Sequence, residues 1–201
     1  DILNNFEAVT REAQSSFGYP GLLVEKYIQN PHHIEVQILA DKKGHIYHLY
    51  ERECSIQRRH QKIVEEAPSP FIGEDEKLRR EVCETAIKCA QAVNYDSAGT
   101  VEFIMGEDKK FYFLEMNTRI QVEHPITEEI TGVDLVANMI KVAFEEPLDF
   151  TSQQDIQIHG HAIELRICAE DPVTMLPAPG KIVGFETTFP QGIRFDHCIH
   201  S

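Results

Sequence analysis

Phe111-Tyr-Phe-Leu-Glu115-Met-Asn117-Thr-Arg119-Ile-Gln121-Val-Glu123-His-Pro125 is the stretch on which the fold turns. Its first four residues are strand-forming aromatics and an aliphatic. After them a carboxylate, an amide, a guanidinium, a second amide and a second carboxylate stand at every other position. In an extended chain, side chains two apart share a face, so Glu115, Asn117, Arg119, Gln121 and Glu123 are expected to form one polar row. The stretch reads as a buried strand ending in five such groups. Both charge signs concentrated beside aromatics mark a site rather than an ordinary solvated strand.

Upstream, Thr100–Met105 reads as the partner strand, joined to Phe111–Asn117 by the turn Gly106-Glu-Asp-Lys-Lys110. A second hairpin precedes it. In residues 33–40, Ile34, Val36 and Ile38 alternate with Glu35 and Gln37. Asp41-Lys-Lys-Gly44 turns the chain, and residues 46–56 return. Leu22–Ile28 also reads as a strand. A helix is expected over 3–16, with Leu3, Phe6, Val9 and Ala13 in a stripe, and another over 75–93, with Leu78, Val82, Ala86, Cys89 and Val93. Asn94 stops the second. Pro125 and Gly132 bracket a short helix, and Asp134 caps the next, which Pro147 ends. The polar run 151–155 is the expected boundary. Residues 156–169 read as a strand, followed by a proline-rich loop and a last strand near 181–188. The fold class is α+β with mainly antiparallel strands.

The 201 residues and 42 % apolar content allow a sizeable core. A net charge of -14 argues against a nucleic-acid partner but leaves room for a local nucleotide site. No apolar run approaches the ~18–20 residues that span a bilayer, so no membrane role is expected. Five cysteines (54, 83, 89, 168 and 198) without Cys-x-x-Cys spacing read as reduced thiols of an intracellular protein. The first residue is Asp1 and the last follows a strand-like stretch, so the chain reads as part of a longer protein.

Four constellations carry chemistry. Hairpin pairing puts Glu102 nearly opposite Glu115, with Asn117 beside them; two carboxylates about 4 Å apart cost on the order of 4 kcal/mol at an effective dielectric near 20. A divalent cation removes that cost, and oxygen donors favour Mg²⁺ or Mn²⁺; the alternative is a one-residue slip that separates the two. Gln57-Arg-Arg-His60-Gln-Lys62 holds donors suited to phosphate, or is a solvated basic loop. Arg119 can hold a planar anion with Glu123 as base, or the two form a structural ion pair. Arg166 lies on an apolar strand after His161 and needs a partner, which a salt bridge to Glu170 or Asp171 would also supply. His159 and His161 are spaced like metal ligands but lack an evident third. Neither a P-loop nor a Rossmann glycine fingerprint is present, and no Ser or Cys sits in a nucleophile motif.

In this order and spacing the constellations resemble the biotin carboxylase family of ATP-grasp enzymes. The matching segments are Glu25–Ile28, His33–Gln37, Glu51–Lys62, Ala98–Phe103, Glu115–Pro125 and Ala169–Pro172. The tract Arg119–His124, with Arg166, separates this family from other ATP-grasp ligases such as a carbamoyl-phosphate synthetase half. The intact set of polar residues speaks against a non-catalytic nucleotide- or metal-binding relative.

The resemblance implies that ATP phosphorylates bicarbonate to carboxyphosphate, which carboxylates biotin on a carrier protein. It implies a metal site at Glu102, Glu115 and Asn117, with Mg²⁺ or Mn²⁺, two ions being expected, bridging the ATP phosphates. Glu25, Lys26 and Ile28 match the adenine segment. His33, Gln57 and His60 match residues near the ribose and phosphates. Lys62, Arg119, Gln121 and Val122 match the bicarbonate pocket, Glu123 the base, and Arg166 the group that stabilises the biotin enolate. Residues 1–21 would end the ATP-grasp lid, 22–150 form the catalytic subdomain, and 156–201 begin the C-terminal domain. The expected partners are a biotin carboxyl carrier, a carboxyltransferase and a second copy, in the cytoplasm or, in a eukaryote, the mitochondrial matrix. The segment Glu115–Arg119 with His124-Pro125 leans toward the acyl-CoA, in particular acetyl-CoA, carboxylases.

Overall fold

A computed structural model describes residues 2–186 and 188–199, with side chains from residue 5 onward. Its centre is a six-stranded antiparallel sheet. Strands β1 (His32–Ala40), β2 (Ile46–Arg58), β3 (Gln61–Ala67), β4 (Ser97–Met105), β5 (Phe111–Asn117) and β6 (Ala162–Leu165) lie in the order β5-β4-β1-β2-β3-β6. Both expected hairpins form, and β1 joins them by pairing with β4 as well as β2. Strand β3 has no counterpart in the sequence reading, which leaves the basic cluster 57–62 open between a phosphate site and a solvated loop and assigns no strand after it. Arg58 and Gln61 pair, leaving Arg59 and His60 as a two-residue turn with φ of 52° and 64°.

Each face of β1 meets a different layer. Ile34, Val36 and Ile38 pack with Leu78, Val82, Cys83, Ala86 and Ala90 of helix α2 (Glu76–Ala92). Asp75 caps that helix by accepting from Leu78 N at 2.9 Å, and Asn94 follows it with a positive φ of 49°. On the other face, Leu39 packs with Leu135 of α4 (Leu135–Ala143), and Ile126 and Ile130 of α3 (His124–Thr131) pack with Ala67. Asp134 accepts from Ala137 N at 2.8 Å, as its capping role predicts, and Gly132 ends α3 in the left-handed conformation. Glu35 and Gln37 share Leu39's parity, so they are buried beneath α3 rather than solvated.

Several expectations are corrected. Leu22–Ile28 is not a strand: no partner strand pairs with it among the described residues, and Leu23, Val24 and Tyr27 are exposed. Propensity without a ladder does not make a strand. The last strand expected near 181–188 is absent among its described residues for the same reason, residue 187 lying outside them. Of 156–169 only Ala162–Leu165 is strand. Strand β5 is an exposed sheet edge, not a buried strand. Helix α1 (Ile2–Phe17) forms where periodicity put it.

The chain divides into two compact units, Asp1–Leu165 and Arg166–Ser201. The polar run 151–155, a 3₁₀ turn at Gln153–Asp155, lies inside the first.

Candidate active site

The site lies on the sheet face beneath α3, and its two hairpin carboxylates pair as the register predicts. Glu102 pairs directly with Glu115, at a bulge that skips Leu114. Asn117 Nδ2 donates to Glu102 Oε1 at 3.0 Å and to Glu115 Oε1 at 3.1 Å. Two carboxylates therefore converge on one amide, and rotation of that amide would present its oxygen beside theirs. This all-oxygen donor set fits a hard divalent cation.

The polar row does not continue as a strand. The β4–β5 ladder ends at Thr100↔Asn117, and residues 118–123 bend away without a partner strand. Gln121 and Glu123 reach the site because the bend folds under the sheet toward α3, where both are buried. Arg119 stays exposed, its Nη2 donating to Asn117 Oδ1 at 3.3 Å. The Arg119–Glu123 ion pair weighed above is replaced by another: Glu123 Oε1 accepts from Lys62 Nζ at 2.7 Å.

Lys62, on β3, is the hub. Its ammonium also donates to Glu35 Oε2 at 2.5 Å and Glu102 Oε1 at 2.9 Å, matching three N–H donors to three carboxylates from three segments. Burial opposes its charge, but Glu35 and the other neighbouring acids raise its basicity above the usual lysine range. Glu102 is opposed by burial too, yet the neighbouring His33 imidazole and the hydrogen bond from Lys62 pull its carboxyl down to about 2. His33 Nε2 lies 3.1 Å from Glu102 Oε2; burial lowers its basicity, and the Glu102 and Glu35 carboxylates outweigh that and raise it to about 9. Gln57 Nε2 stands 3.3 Å from His33 Nδ1. His33, Glu35 and Glu102 also have metal-ligand spacing, but Lys62 already supplies positive charge to the two acids.

The structure thus gathers His33, Gln57, Lys62, Glu102, Glu115, Asn117, Gln121 and Glu123, with Arg119 at the edge. The remaining expected residues of the first unit stand apart. Lys26 and Ile28 lie by the β4–β5 hairpin, Lys26 Nζ 5.9 Å from the centre of the Tyr112 ring and Ile28 beside Gly106, while Glu25 is exposed. His60 is exposed at its turn, and Val122 is exposed on the bend. Arg166 is the first residue of the second unit. Asp171, one of its suggested partners, accepts from Val173 N and Thr174 N in a turn.

Sequence reasoning gave no role to Arg52, whose guanidinium sits fully buried beneath the site. Its signal was present: a cation inside a strand that returns along the polar face of β1. Only the pairing Glu35↔Arg52 turns that signal into a contact.

An antiparallel sheet that carries paired acids and an amide at one hairpin, with a lysine linking them to a second acid, defines a protein of the ATP-grasp class. The chain belongs to the family described as carbamoyl-phosphate synthase L chain, ATP binding domain, whose model matches residues 1–151. Among its relatives, Biotin carboxylase 2 of Bacillus subtilis is 53 % identical over 191 residues, covering 95 % of this chain and 42 % of that protein. A pyruvate carboxylase subunit of Methanothermobacter thermautotrophicus is 51 % identical over 201 residues, covering 100 % and 40 %. The crystal structure of the Hydrogenobacter thermophilus 2-oxoglutarate carboxylase biotin carboxylase domain dimer, in complex with MgADP, ADP and bicarbonate, superposes with a TM-score of 0.79 at 48 % identity, covering 90 % of this chain and 41 % of that one. The chain spans about two-fifths of the length of these relatives.

Proposed function

We propose that this chain is the central part of a biotin carboxylase, which uses ATP and bicarbonate to carboxylate biotin on a carrier protein. The observation that carries the reading is the reach of Lys62: one ammonium bonds Glu102 at 2.9 Å and Glu123 at 2.7 Å. Groups suited to a phosphate-bound cation and to a base are thus a single side chain apart, which is the proximity that phosphoryl transfer to bicarbonate needs. The relatives named biotin carboxylase, and a neighbour holding MgADP and bicarbonate, support it.

In this reading Glu102, Glu115 and Asn117 hold Mg²⁺ or Mn²⁺, one ion or two. Bound there, the metal neutralises charge on the ATP phosphates. Glu25, Lys26 and Ile28 contact adenine, and His33, Gln57 and His60 line the ribose and phosphates. Lys62, Arg119, Gln121 and Val122 hold bicarbonate while Glu123 takes its proton. The freed oxygen attacks the γ-phosphorus, ADP leaves, and carboxyphosphate forms. Transfer of its carboxyl group to biotin N1′ releases phosphate, which takes the N1′ proton, and Arg166 steadies the biotin enolate.

The domain limits follow: lid residues 1–21, catalytic subdomain 22–150 and the start of a C-terminal domain from 156. The end of the family match at residue 151 supports the second limit. A carrier, a carboxyltransferase and a second copy complete the assembly, in the cytoplasm or the mitochondrial matrix. The acceptor is proposed to be an acyl-CoA, acetyl-CoA first, on the segment Glu115–Arg119 with His124-Pro125.

The test uses the full-length protein. Glu123→Gln is expected to lower bicarbonate-dependent ATP cleavage by about 10²–10⁴-fold, the range for a positioned base, while ATP binding by calorimetry persists. Cleavage at the wild-type rate would remove Glu123 from the base role.

A further inference from the structure

Arg52 donates five hydrogen bonds, one for each N–H that a guanidinium carries. Nε donates to Glu35 Oε1 at 2.6 Å. One terminal nitrogen donates to Gln37 Oε1 at 2.6 Å and Thr127 Oγ1 at 3.0 Å, and the other to Thr100 Oγ1 and Gln121 Oε1, both at 3.1 Å. The partners come from β1, β4, α3 and the bend before α3, and all are buried.

One of these bonds reaches Gln121, given a role above, and another reaches Glu35, a partner of Lys62. A guanidinium has no acceptor, so Gln121 must turn its carbonyl oxygen toward Arg52, which aims its NH₂ at Glu102 Oε1, 2.7 Å away. Arg52 also takes one oxygen of Glu35 and leaves the other to bind Lys62. We infer that Arg52 is a positioning residue that sets the orientation of both Gln121 and Lys62, and so shapes the bicarbonate side of the site without touching substrate. The inference rests on the function proposed above. Lysine cannot replace the fork, because three donors at one point do not reproduce five in a plane.

In the full-length enzyme, Arg52→Lys is expected to lower kcat/KM for bicarbonate by about 100-fold, the scale of a misplacement of roughly 1 Å. Affinity for MgATP measured without bicarbonate should persist, because Glu102 keeps Asn117 and Lys62. Thr127→Val, which removes one acceptor at nearly constant shape, should raise the bicarbonate KM a few-fold, and Thr127→Ser should restore it. Wild-type bicarbonate kinetics in both Arg52→Lys and Thr127→Val would overturn the inference. So would losses that fall equally on ATP and bicarbonate and follow only the thermal stability. If Arg52→Lys does not fold, Thr127→Val decides alone, supporting the inference by the bicarbonate shift and overturning it by its absence. If the wild type cleaves no ATP in response to bicarbonate, the proposed activity fails instead. The side-chain amide signals of ¹⁵N-labelled Gln121 then decide: displacement in Arg52→Lys, or in Thr127→Val, supports the orienting role, and unchanged signals overturn it.

Discussion

At the residue scale, the turn Arg59-His60 shows a local preference overruled. Both residues hold positive φ in a two-residue hairpin turn, a geometry that favours Asn-Gly. Side chains with a β-carbon cost of order 1 kcal/mol or more in that region. Keeping a histidine there is reasonable if its imidazole serves the nucleotide, as proposed. His60→Gly should therefore stabilise the folded protein by about 1 kcal/mol, read from the urea midpoint, and weaken ATP binding, read by calorimetry. Stabilisation with unchanged ATP affinity would detach His60 from the nucleotide site. The same scale shows what the sequence made legible. Glu102 opposite Glu115 followed from counting across one hairpin, because adjacent strands fix register locally. Arg52 did not follow, because its partners belong to β1, β4, α3 and the bend, and their meeting needs three-strand register plus helix placement.

At the element scale, amphipathic helices and caps were legible from periodicity, while isolated apolar runs were not. Residues 22–28 and 181–188 carry strand-forming side chains, and whether they pair depends on an edge that local sequence does not encode. β3 was missed for the converse reason: a polar start hid a strand whose Val64 and Glu66 pair with both β2 and β6. The β1–β2 hairpin also holds a titratable device. His48, on β2, sits edge-on to Tyr50 with ring centres 5.0 Å apart, and its backbone is clamped by both ends of the Gln153 amide. Burial lowers its basicity from 6.5 to about 4. Between those values the unfolded chain takes up a proton that the folded chain does not, so stability falls on acidification through that window. At about 1.4 kcal/mol per pH unit, the contribution is at most roughly 3.5 kcal/mol. His48→Phe should show a shallower loss of unfolding free energy from pH 6.5 to 4 than the wild type, by denaturant titration at each pH. Parallel losses would show that His48 is not the group responsible.

At the scale of the whole molecule, two fully partnered buried cations contrast with bare apolar surface. Lys62 and Arg52 have every N–H partnered by residues of the first unit. Phe17, Tyr19, Leu23, Val24 and Tyr27, and Tyr112, Phe113 and Leu114 on edge strand β5, are by contrast exposed. Large apolar side chains left bare in such number are what neighbouring protein ordinarily covers. Since the chain spans about two-fifths of its relatives, we expect further parts of a longer enzyme to cover it and to complete the ATP site. The 201-residue chain alone should then fold its sheet, with far-ultraviolet circular dichroism of a mixed α+β protein, bind an apolar dye such as ANS, and show no bicarbonate-dependent ATP cleavage above background. The full-length protein should lose the dye signal and gain the activity. Bicarbonate-dependent turnover by the isolated chain at the full-length rate would mean that the groups gathered around Lys62 suffice for the phosphoryl-transfer step without any covering segment.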